Sequence, residues 1–386
     1  MRRLILLLLA ALVTTVTSAA QSVDVPPATT TGRIVRDLVE SARMDELRWP
    51  DFSDYRKHLR NFYAPAGYRL FWSRDGRVTQ QARSVIALFE SADAKGINAV
   101  DYDGARWSER LATLAVTPND TALARFDVAL SVALMRYISD LHIGRINPRN
   151  IRFELDIESK KYYLPTELTE LAAASDPAAL LREVEPPFPE YRRLQSALVT
   201  YRRIAAESEK EPPLPAVKAL KPGESYSALP QLARMLRRFG DLTAPFDETR
   251  GVYDGALVDA VKRFQSRHNL EPDGVLGARG FAQLNIPAAR RVEQIVLALE
   301  RWRWMPTGFD APPIIVNIPE FRLRAWNDAG ATALTMRVVV GTAYTNQTPV
   351  FDGDMKYVVF RPYWNVPPTI QRSEIAPKLA SNRAWL

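Results

Sequence analysis

The chain has 386 residues, with 51 Lys plus Arg against 44 Asp plus Glu, a formal net charge of +7 and no cysteine. That length allows two or three domains, and 47% hydrophobic with 25% charged residues is the composition of a globular chain. The lack of cysteine excludes disulfides, thiolate zinc sites and a thiol nucleophile within these residues, and no Lys/Arg run is dense enough to form a nucleic-acid surface.

In chain order, the first signal is Arg2-Arg3, then an apolar run from Leu4 to Val13, then Ser18-Ala19-Ala20. A basic start, a short apolar stretch and small residues predict a secretory signal peptide over 1–20. The run is short for a membrane span, so membrane contact is expected only through this segment. Its removal takes away two arginines and no acid, which leaves a mildly basic remainder suited to an anionic envelope. Residues 21–31, with Pro26-Pro27 and a threonine run, read as a flexible lead-in.

Residues 32–215 read as helical. Leu123, Phe126, Leu130, Leu134, Ile138 and Leu141 recur every three or four residues, with no Gly or Pro until Gly144. Tyr191, Leu194, Leu198 and Tyr201 repeat the pattern. Glu211-Pro212-Pro213-Leu214-Pro215 cannot continue a helix and reads as a linker. A compact unit is expected over 226–287. It has a short helix at Leu232, Met235 and Leu236, then one with Asp254 as N-cap and Leu257, Ala260, Val261 and Phe264 on one face. Asn269 suits a left-handed cap, Asp273-Gly274 a turn, and Gly277 offers further backbone freedom. A helix from about Ala288 to Trp304 follows, and then the period becomes two. Ile314, Val316 and Ile318 alternate, as do Leu334, Met336, Val338 and Val340, and Tyr357 to Phe360 is a third strand candidate. Residues 373–386 look helical.

The small unit, with Tyr253-Asp254, Ala260-Val261-x-x-Phe264-Gln265, His268 and Asp273-Gly274-x-x-Gly277, resembles the peptidoglycan-binding type 1 domain, a three-helix module. Gly280 stands where that module usually has threonine. An ordered series then follows: Glu300-Arg301-Trp302-Arg303-Trp304, Val316-Asn317-Ile318-Pro319, Val338-Val339-Val340-Gly341, Gln347-Thr348-Pro349 and Tyr363-Trp364-Asn365-Val366-Pro367-Pro368. Together with Phe62-Tyr63, Phe71-Trp72 and Asp140-Leu141-x-x-Gly144-Arg145, it resembles the large periplasmic murein L,D-transpeptidases with a YkuD-type catalytic domain. The resemblance implies an α+β multidomain fold: a helical scaffold domain, a peptidoglycan-binding module, and over 288–386 the first part of a β-rich catalytic domain, expected to be incomplete. It further implies a periplasmic protein whose partner is peptidoglycan, through both stem peptides and glycan. The reaction would be a cysteine attack on a tetrapeptide stem, a thioester, and resolution by a neighbouring amine.

In the resembled family the catalytic histidine and cysteine follow the Trp-Asn-Val-Pro-Pro segment. Here His58, His142 and His268 all precede it, so no catalytic residue is assigned and the 386 residues are expected to be inactive. The alternative is a non-catalytic peptidoglycan-binding scaffold. Tyr363, Trp364 and Asn365 are candidates for shaping the substrate groove. Tyr253, Asp254 and Gln265, expected to be exposed, are candidates for contacting peptidoglycan on the module. Phe264 reads as core, and Trp302 and Trp304 as packing at a domain junction. His142 and His268 read as structural. Glu300, Glu320 and Asp352 show no glycosidase context. No His/Asp/Glu spacing suggests a metal and no glycine loop a phosphate, so no cofactor is expected.

Overall fold

The computed structural model describes residues 24–382, apart from 246, 248–250, 310, 329 and 343–345. The expected signal peptide and residues 21–23 and 383–386 lie outside the described residues.

The N-terminal part is built from helices α1 (Thr30–Ser41), α2 (Arg56–Tyr63), α3 (Gln80–Glu90), α4 (Arg106–Val116), α5 (Asp120–His142), α6 (Leu164–Ala173), α7 (Pro177–Val184) and α8 (Pro189–Ser208). The periodic run predicted one helix around Leu123–Leu141, and α5 is that helix, 23 residues long. Asn119 caps it by accepting the Ala122 amide at 2.9 Å. Most of its surface is apolar and buried, and α1, α3, α4, α6 and α7 pack around it.

Polar residues interrupt that apolar surface. Asp127 is fully buried, yet it accepts from the backbone amides of Phe71 (3.0 Å) and Trp72 (2.8 Å) and from the Tyr63 hydroxyl (2.8 Å). One turn on, Ser131 accepts from the Trp72 indole at 2.9 Å. The pairs Phe62-Tyr63 and Phe71-Trp72 thus converge on one helix face. A tight hairpin aims the second pair: β1 (Ser73–Arg74) pairs with β2 (Arg77–Val78) across Asp75 and Gly76, both at positive φ. Burial pushes the Asp127 carboxyl up to about 6, against the pull of its donors. The folded state therefore holds this proton more tightly than the unfolded chain, whose aspartates titrate near ~4. The stabilisation is present below about pH 4 and is lost as pH rises through 6, with a slope of up to about 1.4 kcal/mol per pH unit. Asp140, also raised to about 6 by burial, adds a second contribution in the same window. Denaturant melts from pH 4 to 6 should show the decline, and Asp127→Asn should reduce it to the Asp140 part.

After α8 comes the second unit, made of α9 (Leu229–Arg238), α10 (Gly255–Arg267) and α11 (Ala278–Leu284), with β3 (Ala219–Leu220) antiparallel to β4 (Leu276–Gly277). The stretch read as a linker is extended but docked. Leu214 is buried in this unit's core and exchanges two hydrogen bonds with the Asn285 amide (2.7 and 2.9 Å). Tyr226 and Gln231 donate to the carbonyls of Pro215 and Pro212. Prolines stop the helix without freeing the chain, because side chains of the unit satisfy their carbonyls.

Helix α12 (Ala288–Arg303) packs along α8 of the helical part. The start of α8 meets the end of α12, since Tyr191 and Phe188 lie against Arg303 and Trp302, so the two helices run antiparallel. The sheet that follows is β5 (Ile314–Asn317), β6 (Arg322–Trp326) and β7 (Thr332–Arg337), antiparallel in that order, with Val316 opposite Leu323 and Leu323 opposite Met336.

The period-two runs overreach at both ends. Ile318 leaves β5 for a single turn that ends at Phe321 with φ +57°, and Val338 and Val340 lie beyond β7. Tyr357 to Phe360 is not a strand. Its composition suits one, but a strand exists only with a ladder partner, and among the described residues none pairs there. A single parallel bridge instead ties Phe351 to Glu154 of the helical part, with the Glu154 amide donating to the Val350 carbonyl at 2.8 Å. Short helical turns run over Pro368–Ile370, Gln371–Ile375 and Ala376–Ser381.

Candidate functional site

The motif residues of the second unit form its skeleton. Gln265 was expected to be exposed and is buried. Its amide donates to Asp273 Oδ1 (2.9 Å) and the Val275 carbonyl (3.0 Å) and accepts from the Gly274 amide (2.9 Å). This one side chain ties α10 to the Asp273-Gly274 turn. Tyr253 was also expected to be exposed and is fully buried, its hydroxyl donating to the Gly274 carbonyl at 2.7 Å. Burial raises its phenol above the ordinary range. A tyrosine or glutamine beside a helix is equally at home inside or outside, and here the turn's backbone groups draw both inward. Gly274 is required, because φ is +79° and a Cβ would lie 2.8 Å from Val258 Cγ1.

Asp254 occupies the expected N-cap position, half-buried, but its side chain makes no capping bond to α10. Asn269 takes the left-handed conformation at φ +52°. Gly277 has an ordinary φ of −90°, so the freedom expected there is not used. Gly280 is buried against Leu276. His268 donates from Nδ1 to the Phe264 carbonyl at 2.8 Å and stacks on the buried Phe264 ring at 4.0 Å.

Tyr363, Trp364 and Asn365, the groove candidates, stand in solvent on extended chain, with Tyr363 95% exposed. Phe360 and Val339 are exposed to a similar degree.

Two motifs far apart in sequence meet at the junction. Gly144 has φ +82°, and a Cβ there would come within 2.5 Å of Glu300 Oε1. That oxygen accepts the amides of Arg145 (2.5 Å) and Ile146 (2.9 Å). The other carboxylate oxygen pairs at 3.1 Å with Arg303, which is fully buried and also donates to the Lys95 carbonyl and the Tyr191 hydroxyl. Trp304 is buried edge-on to Phe153, and Trp302 lies 5.2 Å from Phe188.

Lys160 donates to the carbonyls of His142, Arg303 and Met305, joining the ends of α5 and α12. Burial lowers its amine to about 8. Arg145 bridges Asp101 and Asp140, and Asp140 accepts the Tyr102 hydroxyl at 2.6 Å. Sequence reasoning flagged Glu300 only as one of three acids to test. Glu320 is instead paired with Arg324 on β6, and Asp352 is exposed. Reasoning from sequence also missed Lys160, which no spacing singles out, and Asp127, which an acid inside an apolar helical stripe does betray.

His58 and His142 face one pocket of about 200 Å³ beside Tyr55, Lys161 and Tyr162. His142 stacks on Tyr162 at 3.9 Å and donates to the Val184 carbonyl, and burial lowers both imidazoles. Among the described residues no group of three or more His, Cys, Asp or Glu could hold a metal ion, and no helix is long and apolar enough to cross a membrane.

Comparison with known proteins matches the same regions. Residues 57–198 match the model of the family described as "Scaffold domain". Residues 225–284 match "Putative peptidoglycan binding domain", and residues 312–386 match the YkuD "L,D-transpeptidase catalytic domain". Fold and matches together define an α+β multidomain protein that carries a peptidoglycan-binding domain ahead of L,D-transpeptidase sequence of the YkuD type. Over 138 residues the chain is 31% identical to a Haemophilus influenzae protein named "Putative L,D-transpeptidase", a match that covers 35% of this chain and 27% of that protein.

Two outcomes test these roles. Gln265→Ala should destabilise the second unit by about 1–3 kcal/mol for each buried partner it orphans, read by hydrogen exchange of α10 amides, with the helical part unchanged. Gly144→Ala and Glu300→Gln should each loosen α12 by about 2–4 kcal/mol. A double-mutant cycle should find them strongly non-additive, since both act on one carboxylate.

Proposed function

We propose that the protein is exported to the periplasm by the signal peptide over 1–20 and belongs to the machinery that cross-links peptidoglycan by L,D-transpeptidation. The observation that carries this reading is the order of the chain: a module matching a peptidoglycan-binding family, stitched to a helical scaffold and followed by sequence matching the catalytic domain. The name of the Haemophilus influenzae relative supports the same reaction class. In this reading a cysteine thiolate attacks the tetrapeptide stem, D-alanine leaves, and an amine of a second stem resolves the thioester.

The 386 residues hold no thiol, so they supply binding and scaffolding and the first strands of the catalytic domain, but not the nucleophile. Tyr363, Trp364 and Asn365 would line the groove that receives the stem once their exposed face is covered. A purely non-catalytic peptidoglycan-binding scaffold is the second reading, supported by the scaffold and peptidoglycan-binding matches alone.

Purified residues 21–386 should pellet with isolated sacculi and should gain no mass when incubated with a carbapenem. Failure to pellet would sink the peptidoglycan reading, and a stable carbapenem adduct would sink the assignment of a cysteine nucleophile. A Tyr363→Ala, Trp364→Ala pair should leave pelleting unchanged, because the module and not this segment supplies that affinity.

A further inference from the structure

An open cleft of about 640 Å³ lies where the start of α8, the end of α12 and the β6–β7 turn meet. Its size falls within the roughly 300–1,000 Å³ of ligand clefts. Its floor is aromatic. The ring of Phe188 sits 5.2 Å from Trp302 and 5.8 Å from Phe309, with tilts of 42° and 47°, so the three rings form a stepped platform. Trp326 of β6 lines the cleft as well. Rings that only filled the junction would be enclosed, as Trp304 is at 3% exposure. Phe309 instead remains 38% exposed, and Phe188, Trp302 and Trp326 are half-buried.

The rim carries two acids and one base. Glu190 pairs with Arg193 at 2.6 Å and also feels Arg324, while Asp328 of the turn adds a second acid.

We propose that this cleft binds the glycan strand of peptidoglycan, a β-linked chain of N-acetylated amino sugars. The assignment rests on the peptidoglycan reading given above. A pyranose ring presents an apolar face of C–H bonds with slight positive character, which suits the negative face of an aromatic ring. Its hydroxyl and amide edges are neutral donors and acceptors, which suit a rim that offers carboxylates and a guanidinium but no net positive charge. A stem peptide carries free carboxylates and would meet Glu190 and Asp328 without a surplus of positive charge. The cleft is also open to solvent, as a polymer ligand requires. Scaffold and catalytic-domain strands would then grip the glycan together, at a place separate from the peptidoglycan-binding module.

The test uses residues 21–386 with a β-1,4-linked N-acetylglucosamine hexamer as probe, followed by tryptophan emission and saturation-transfer NMR. Pelleting with sacculi is measured in parallel. A saturable response is expected, weakened about tenfold by Phe309→Ala. That side chain sits on an exposed loop and its loss should leave the melting temperature unchanged. Arg193→Ala, on the rim, should weaken the response less, again without loss of fold. A hexamer response indifferent to both changes would overturn the proposal, as would no response while sacculi still pellet the protein. A response to a free tetrapeptide stem in place of the hexamer would overturn the glycan assignment. If sacculi themselves fail to pellet the protein, the underlying peptidoglycan reading falls, a result distinct from each of these.

Discussion

Arg303 lies at the end of α12 with no exposed surface, and a guanidinium in that position is tolerated only if its charge is matched. Glu300 matches the charge from one turn back, and the Lys95 carbonyl and Tyr191 hydroxyl accept from Nη2, while the buried Nε has no hydrogen-bond partner among the described residues. Glu300 can reach that position only because residue 144 has no side chain, and its second oxygen is committed to the amides of Arg145 and Ile146. The arrangement couples three stretches of chain: the turn after α3, the turn after α5, and α12. Each supplies something the others leave unsatisfied. Removing one partner strands a buried charge, which makes the junction an all-or-none contact and fixes where the β-sheet begins relative to the helical part.

The apolar contribution at this junction is comparatively small. Tyr191, Leu198 and Leu299 are its buried residues, with Phe188, Leu194 and Trp302 partly covered. Gly96 lets the turn after α3 approach closely, since a Cβ there would lie 2.9 Å from Leu299 Cδ1. A modest hydrophobic patch supplies adhesion and the polar lock supplies geometry. A domain with a large core of its own, such as the one around α5, has no need of such a device.

Periodicity made α5, α8, α10 and α12 legible from sequence, because a helix stripe depends only on neighbours three and four residues away. Asn269 and Asp273-Gly274 were legible for the same reason. What sequence concealed was tertiary. Tyr253 and Gln265 looked like surface residues because both are polar, but the backbone of one turn needed the partners that they offer. The prolines at 212, 213 and 215 correctly ended a helix yet said nothing of the Asn285 and Tyr226 side chains that hold the segment down. Tyr357 to Phe360 has strand composition, but pairing depends on a partner that local sequence does not specify. Lys160 carried no signal, since its role depends on two helix ends that lie far from it in the chain.

The second unit is inserted between two helices that pack on each other, and it touches both. Phe239 of the unit stacks on Tyr201 of α8 at 6.0 Å, and Arg291 of α12 donates to Gln283. The unit therefore hangs from the open end of an antiparallel helix pair whose other end is closed by Arg303. Sixteen residues of α12 separate the two ends, a distance of about 24 Å. A pull on the unit from a stretched polymer would act as a crowbar on that pair, parting the helices from the near end, and the buried ion pair at the far end would be the last point to yield.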